Sequence, residues 1–158
     1  LAARIPAVID AAALRMLAGS SDLRGALHEK VVLTPHPGEF RHLCGNGEIS
    51  SEAQLFSLLS SKAAEFGCTI VYKAHVVIVV SPRGAFSVVD GMNPFMGTAG
   101  SGDVLAAIIT ALAAQGMEPY EAAWKGAALH QQLGKRLRET RGCFTAEDIS
   151  AAVAVLFG

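Results

Sequence analysis

The chain has 158 residues, 13 Lys+Arg against 14 Asp+Glu, and 51% hydrophobic residues with only 6% aromatic. Near-neutral charge argues against nucleic acid, which is met with excess basic charge, and no apolar run approaches the ~18 residues of a membrane span. A chain of this length buries roughly two-thirds of its unfolded surface, so neither disulfide nor metal is needed to fold it.

Pro6–Asp10 reads as a short buried strand ending in an acid, followed by a helix over Ala11–Ala18 that Gly19 stops. Residues 1–9 lack the charged start and long apolar core of a signal peptide. A second apolar strand, Val31–Thr34, runs into Pro35-His36-Pro37-Gly38, where two prolines and a glycine predict a loop with no helix. Ser50 or Ser51, with Glu52 behind it, opens a helix to about Phe66, ended by Gly67. Strands are predicted over Thr69–Lys73, Val76–Val80 and Ala85–Val89, the last two joined by the turn Ser81–Gly84. From Gly102 the pattern is helical: Asp103–Gln115, Glu118–Arg138 and Thr145–Leu156. Strands alternate with helices early and helices cluster late. That predicts one α/β domain over residues 1–158, a mostly parallel sheet with helices on both faces. Trp124, Phe144 and Phe157 are expected in the core, and His28, His42 and His130 on the surface or on helix faces. Cys44, Cys68 and Cys143 form no CxxC, so a metal centre is not expected and a reducing cytoplasm is the simplest home.

Four segments carry candidate chemistry. Gly97-Thr98-Ala99-Gly100-Ser101-Gly102-Asp103 precedes an apolar, Ala-rich helix. Glycines let backbone approach a ligand closely, and a helix start presents free N–H groups and the positive dipole end to an anion. Asp103, in the first turn, can accept a proton from a substrate hydroxyl. The absence of a following Gly-Lys-Ser/Thr rules out a Walker loop; a flexible loop with an N-capping acid is the plainer alternative. The second segment, Thr34–Phe40, places His36 and Glu39 at a sheet edge, or forms only a turn with a surface His. In the third, Lys73-Ala74-His75, the cation can steady nucleotide phosphates or simply be solvated at a strand end. In the fourth, Asn93 can contact a polar ligand or start the Asn-Pro turn.

Together these blocks resemble the ADP-dependent NAD(P)H-hydrate dehydratases, a carbohydrate-kinase-like family. Val8-Ile9-Asp10-Ala11, Leu33–Phe40, Lys73 with its loop, Asn93-Pro94 and Gly97–Ala106 occur in the family's order. Gly-x-Gly-Asp alone is shared across ribokinase-like proteins; Thr-Pro-His-Pro-Gly-Glu with Thr-Ala-Gly-Ser-Gly-Asp is specific. The resemblance implies a ribokinase-like α/β sandwich that repairs hydrated NADH or NADPH (NADHX, NADPHX). ADP, or ATP in eukaryotic members, phosphorylates the hydrate hydroxyl and phosphate is then eliminated. It implies Asp103 as the base and the amides of Gly100, Ser101 and Gly102 as the anion hole. It further implies that Lys73, Ala74, His75, Val76 and Val77 hold the nucleotide, and that His36 and Asn93 contact the hydrated dinucleotide. Mg²⁺ is expected with the nucleotide, though no dedicated ligand set is visible. A homo-oligomer and an epimerase domain or partner are also expected from the family.

Three departures stand out. The family's Lys-Gly-x-x-Thr is Lys73-Ala74-His75-Val76-Val77 here, losing a flexible residue and a hydroxyl. Phe95 replaces a small residue and is expected to narrow the site. The family's front portion is expected to lie before Leu1, which makes this a C-terminal portion. Two rivals follow from the shared Gly100–Asp103: a ribokinase-like kinase of a small hydroxymethyl compound, and an inactive nucleotide-binding or assembly domain.

Overall fold

Five strands hydrogen-bond in chain order: β1 (Ala7–Ile9), β2 (Val31–Leu33), β3 (Thr69–Lys73), β4 (Val77–Val80) and β5 (Phe86–Val89). The structure is a computed structural model and describes residues 4–45, 47–90 and 93–157. β1, β2 and β3 pair parallel, while β4 lies antiparallel to both β3 and β5. Four strands therefore point one way and β4 runs against them. Helices α1 (Ala12–Gly19), α2 (Ser21–Gly25), α3 (Pro37–Leu43) and α4 (Glu52–Phe66) lie between the parallel strands in sequence. Helices α5 (Ser101–Ala114), α6 (Pro119–Arg141) and α7 (Ala146–Phe157) follow the sheet.

Strands β2 and β4 are apolar and buried throughout and β3 is buried from Thr69 to Tyr72, because both faces are covered there, whereas the edge strand β5 leaves Phe86 and Val88 exposed. Val31, Leu33, Ile70, Tyr72, Ile78 and Val80 pack with α1, α3 and α4 on one face. Their alternates Val32, Val71, Val77 and Val79 pack with Leu105, Ile109 and the small residues Ala122, Ala123 and Ala127 on the other. Period-two side-chain alternation thus sorts one apolar run into two cores. Helices α5 and α6 approach closely at Gly126, where an added β-carbon would stand 2.8 Å from Ile109 Cγ1. A third cluster, Leu133, Leu137, Phe144 and Ile149, joins α6 to α7.

Several expectations need correction. Helix α3 begins inside the segment expected to exclude helix: Pro37 occupies its first position, where a missing N–H costs nothing and a fixed φ helps. The short α2 and a 3-10 turn over Pro94–Gly97 were not expected from the sequence. His28 is buried rather than on the surface, His130 lies on helix α6 as expected but on its buried face, and His42 is exposed. Phe144 is buried and Trp124 is half-buried against the second core. The Phe157 side chain, like Leu1, Gly91 and Met92, lies outside the described residues.

Candidate active site

Three strand ends meet where ligands bind in open α/β sheets, beyond the carboxyl ends of parallel strands. Asp10 follows β1, His36 follows β2, and Lys73 closes β3. Backbone bonds stitch these ends together. Thr34, fully buried, donates its amide to Ile9 O at 3.1 Å and its hydroxyl to the same oxygen at 3.3 Å. The Lys73 amide donates to Pro35 O at 2.9 Å. Ala11, at φ 49° and ψ −123°, makes the sharp turn from β1 into α1, a strained conformation for a residue with a β-carbon. The Asp10 carboxylate then meets the Lys73 ammonium at 2.6 Å, each side chain less than one-fifth exposed.

His36 is the N-cap of α3. Its Nδ1 accepts from the amides of Gly38 at 3.0 Å and Glu39 at 3.3 Å. Glu39, itself buried, returns the bond by accepting the His36 amide at 2.9 Å. An Nδ1 that accepts leaves the proton on Nε2, which lies 3.4 Å from Glu39 Oε1. The imidazole is more than half exposed at the cleft edge.

Above these ends sits the start of α5. Gly100 is its N-cap at φ 85°, ψ −12°, and no side chain caps the helix. The Ser101 and Val104 amides are used by Thr98 O and Gly100 O. Helix starts leave their first N–H groups without intrahelical partners, so the Gly102 and Asp103 amides remain for a ligand. A β-carbon on Gly102 would stand 3.4 Å from Lys73 Nζ and 3.7 Å from Asp10 Oδ2. The α5 turn thus lies directly over the ion pair.

The space between is a cleft of about 500 Å³. It brings together His36, Lys73, Ala74, His75, Val77, Asn93, Ser101 and Gly102 of the residues expected at the site. Val76, Gly100 and Asp103 are not among its walls, and the Asp103 side chain is exposed. Phe95 does not narrow the cleft, because it turns into the third cluster against Phe144 and Arg138. Met96 lines it instead, lying over Gly134 of α6. Asn93 starts the Asn-Pro turn, its Oδ1 accepting the Phe95 amide at 3.2 Å, while its Nδ2 is buried without a partner.

Three residues were given no site role by the sequence: Asp10, named only as a strand-ending acid and in a family block, His130, placed on the surface or a helix face, and Gln131. His130 Nε2 and Ser101 Oγ lie 3.2 Å apart, both residues buried. Burial pushes the imidazole down to about 4, and the nearby Lys73 charge acts in the same direction. His130 Nδ1 and Gln131 Oε1 are buried without protein partners and belong to cleft-lining residues. Unsatisfied buried polar atoms are rare; clustered at one cleft, they suit a polar ligand. Among the described residues, no three or more His, Cys, Asp or Glu side chains are grouped to hold a metal, and no helix is long and apolar enough to cross a membrane.

Known proteins resemble this chain in sequence and in fold. An ADP-dependent (S)-NAD(P)H-hydrate dehydratase of Neisseria meningitidis is 37% identical over 139 residues, covering 87% of this chain and 47% of that protein. A bifunctional NAD(P)H-hydrate repair enzyme of Moorella thermoacetica is 37% identical over 139 residues, covering 88% of this chain and 26% of that protein. The chain thus spans half or less of the length of these relatives. A ribokinase-like superfamily protein of Enterococcus faecalis superposes with TM-score 0.78 at 30% identity, over 94% of this chain and 51% of that one. The ADP/ATP-dependent NAD(P)H-hydrate dehydratase of Bacillus subtilis, co-crystallised with ATP and Mg²⁺, shares the fold at TM-score 0.73 and 21% identity, over 96% of this chain and 56% of that one. A family model described as NAD(P)H-hydrate dehydratase, of the carbohydrate-kinase type, matches residues 1–154. With the ribokinase-like α/β layers and the conjunction of Asp10, His36, Lys73 and the α5 turn, that match places this chain in the NAD(P)H-hydrate dehydratase family.

Proposed function

We propose that the protein carrying this chain dehydrates hydrated NADH or NADPH, with ADP as co-substrate. The observation that carries the proposal is the uncapped start of α5, held over the Lys73–Asp10 pair in a cleft that His36 also enters.

Phosphoryl transfer asks a protein for positioning and charge stabilisation more than for covalent chemistry. The first-turn amides of α5 and the Lys73 ammonium supply positive potential where the transferring group sits. Asp103, at the third position of α5, takes the proton of the hydrate hydroxyl as that oxygen attacks the terminal phosphorus of ADP and AMP departs. The new C–O–phosphate bond then breaks with its electron pair leaving on phosphate. Loss of a ring proton beside that carbon restores the dihydropyridine. His36 and Asn93 contact the dinucleotide, and the Lys73–Val77 turn holds the nucleotide. ATP is the alternative donor. Mg²⁺ would accompany the nucleotide's phosphates; the described residues offer no dedicated ligand set, so no step is assigned to it. We further propose a cytoplasmic homo-oligomer working beside an epimerase unit that interconverts the hydrate epimers, a pairing suggested by the bifunctional relative.

The test is direct. The full-length protein is incubated with NADHX and ADP, and the absorbance of reduced nicotinamide is followed. Its return, with AMP and phosphate in step, supports the proposal, and Asp103→Asn removes it without unfolding the protein. Accumulation of a stable phosphorylated product instead makes the protein a kinase.

A further inference from the structure

The α5 turn has an unusual support. A helix start that must leave its amides open for a ligand cannot also close them with a side-chain cap, and α5 has none. Its anchor comes from a different helix. Ser101, the first residue of α5, is 5% exposed and its hydroxyl lies 3.2 Å from Nε2 of His130, a residue of α6 that is 3% exposed. The two are 29 residues apart.

We propose that His130 is a positioning residue for phosphoryl transfer, fixing the Ser101–Asp103 turn through the Ser101 hydroxyl so that the open amides of α5 face the cleft. The inference rests on the reading of α5 as the phosphoryl site. Several features favour this role over simple core filling. His130 is a cleft wall as well as a buried side chain, and its second nitrogen, Nδ1, is left without a partner. The close packing of α5 on α6 at Gly126, one turn before His130, brings the two helices near enough for this bond to form. Burial and the neighbouring Lys73 charge keep the ring neutral, so it neither competes with the amides for the anion nor repels Lys73. An ammonium or guanidinium at this position would do both. A shift of about 1 Å in a positioning element costs on the order of a hundredfold in rate, which sets the scale.

The experiment is a double-mutant cycle in the full-length enzyme, measured by steady-state turnover of NADHX with ADP. His130→Leu and Ser101→Ala each lower kcat by about 10- to 100-fold, with the KM values for NADHX and ADP changed little. The double variant is no worse than the poorer single one, because both remove the same bond. His130→Gln, whose amide can reach the hydroxyl, recovers part of kcat. Thermal melts separate rate from stability. Losses that multiply in the double variant overturn the inference, as does a His130→Leu enzyme that melts lower yet turns over at the wild-type rate. If His130→Leu does not fold, the pair Ser101→Ala and His130→Gln decides alone: Ser101→Ala at the wild-type rate overturns it. A wild-type protein that does not consume NADHX overturns the functional reading itself, and that outcome is seen before any variant is made.

Discussion

Asp10 Oδ1 and Lys73 Nζ, 63 residues apart in the chain, lie 2.6 Å apart across the ends of β1 and β3. Both are mostly withdrawn from water, so removing one charge leaves the other buried without a counter-charge, at a cost of about 1–3 kcal/mol or more. Asp10→Asn is therefore expected to lower the melting temperature and to raise the KM for ADP about tenfold, equivalent to roughly 1.4 kcal/mol, as Lys73 loses its fixed position. Calorimetry with an ADP titration checks both; an unchanged KM would detach Lys73 from nucleotide binding.

His36 holds two roles that substitution can separate. Asn is as good an N-cap as any residue, whereas Ala forfeits about 1 kcal/mol. His36→Asn should keep wild-type stability and His36→Ala should lose that amount in urea unfolding. Both should raise the KM for NADHX alike, since both lack the imidazole. If only the Ala variant is impaired, His36 is a cap and nothing more.

Two glycines of the α5 turn should fail differently. Gly100, at φ 85°, would place a β-carbon 3.1 Å from the Ala146 side chain. Gly100→Ala should cost about 1–3 kcal/mol through strain. Gly102→Ala has no such strain, but its methyl group would sit above Lys73 and Asp10. It should fold as the wild type does and lose anion binding, visible as weaker ADP affinity in equilibrium titration.

The depressed His130 gives acid sensitivity of known sign. Unfolded, the ring titrates near 6.5; folded, it is pushed down to about 4. Between those values the unfolded chain takes up a proton that the folded one refuses. Its contribution is fully present above pH 6.5 and drains away as pH falls toward 4, by about 3 kcal/mol in total. His130→Gln should flatten the fall in urea midpoint between neutral pH and pH 4.

The three thiols should react in order of exposure. Cys143 is exposed, whereas burial pushes the Cys44 thiol up to about 11 and the Cys68 thiol up to about 12. A disulfide reagent should modify Cys143 first, Cys44 slowly, and Cys68 only on unfolding; mass spectrometry of timed samples reads the order.

Much of the fold was legible because its signals are local. Apolar runs bounded by Gly and Pro marked the strands, the pair Ser50 and Ser51 with Gly67 marked both ends of α4, whose N-cap is Ser51, and Gly100–Asp103 marked the α5 turn. The start of α3 was legible too, but misread: a polar residue before Pro, with Glu three residues on, is a capping box as well as a loop. What stayed hidden was tertiary. Nothing near Asp10 says that its partner is Lys73, because strand order and register set that pairing. His130 looks like any polar residue on an amphipathic helix until α5 lands beside it.

Every strand of the sheet pairs with the next one in sequence. The sheet can therefore grow in the order of synthesis, each strand adding to an edge already present. The cleft cannot. It exists only once α5 and α6, made later, fold back over Asp10 and Lys73. The cleft is thus a late product of the chain's folding, and a ligand that binds there acts as a seal on the finished fold.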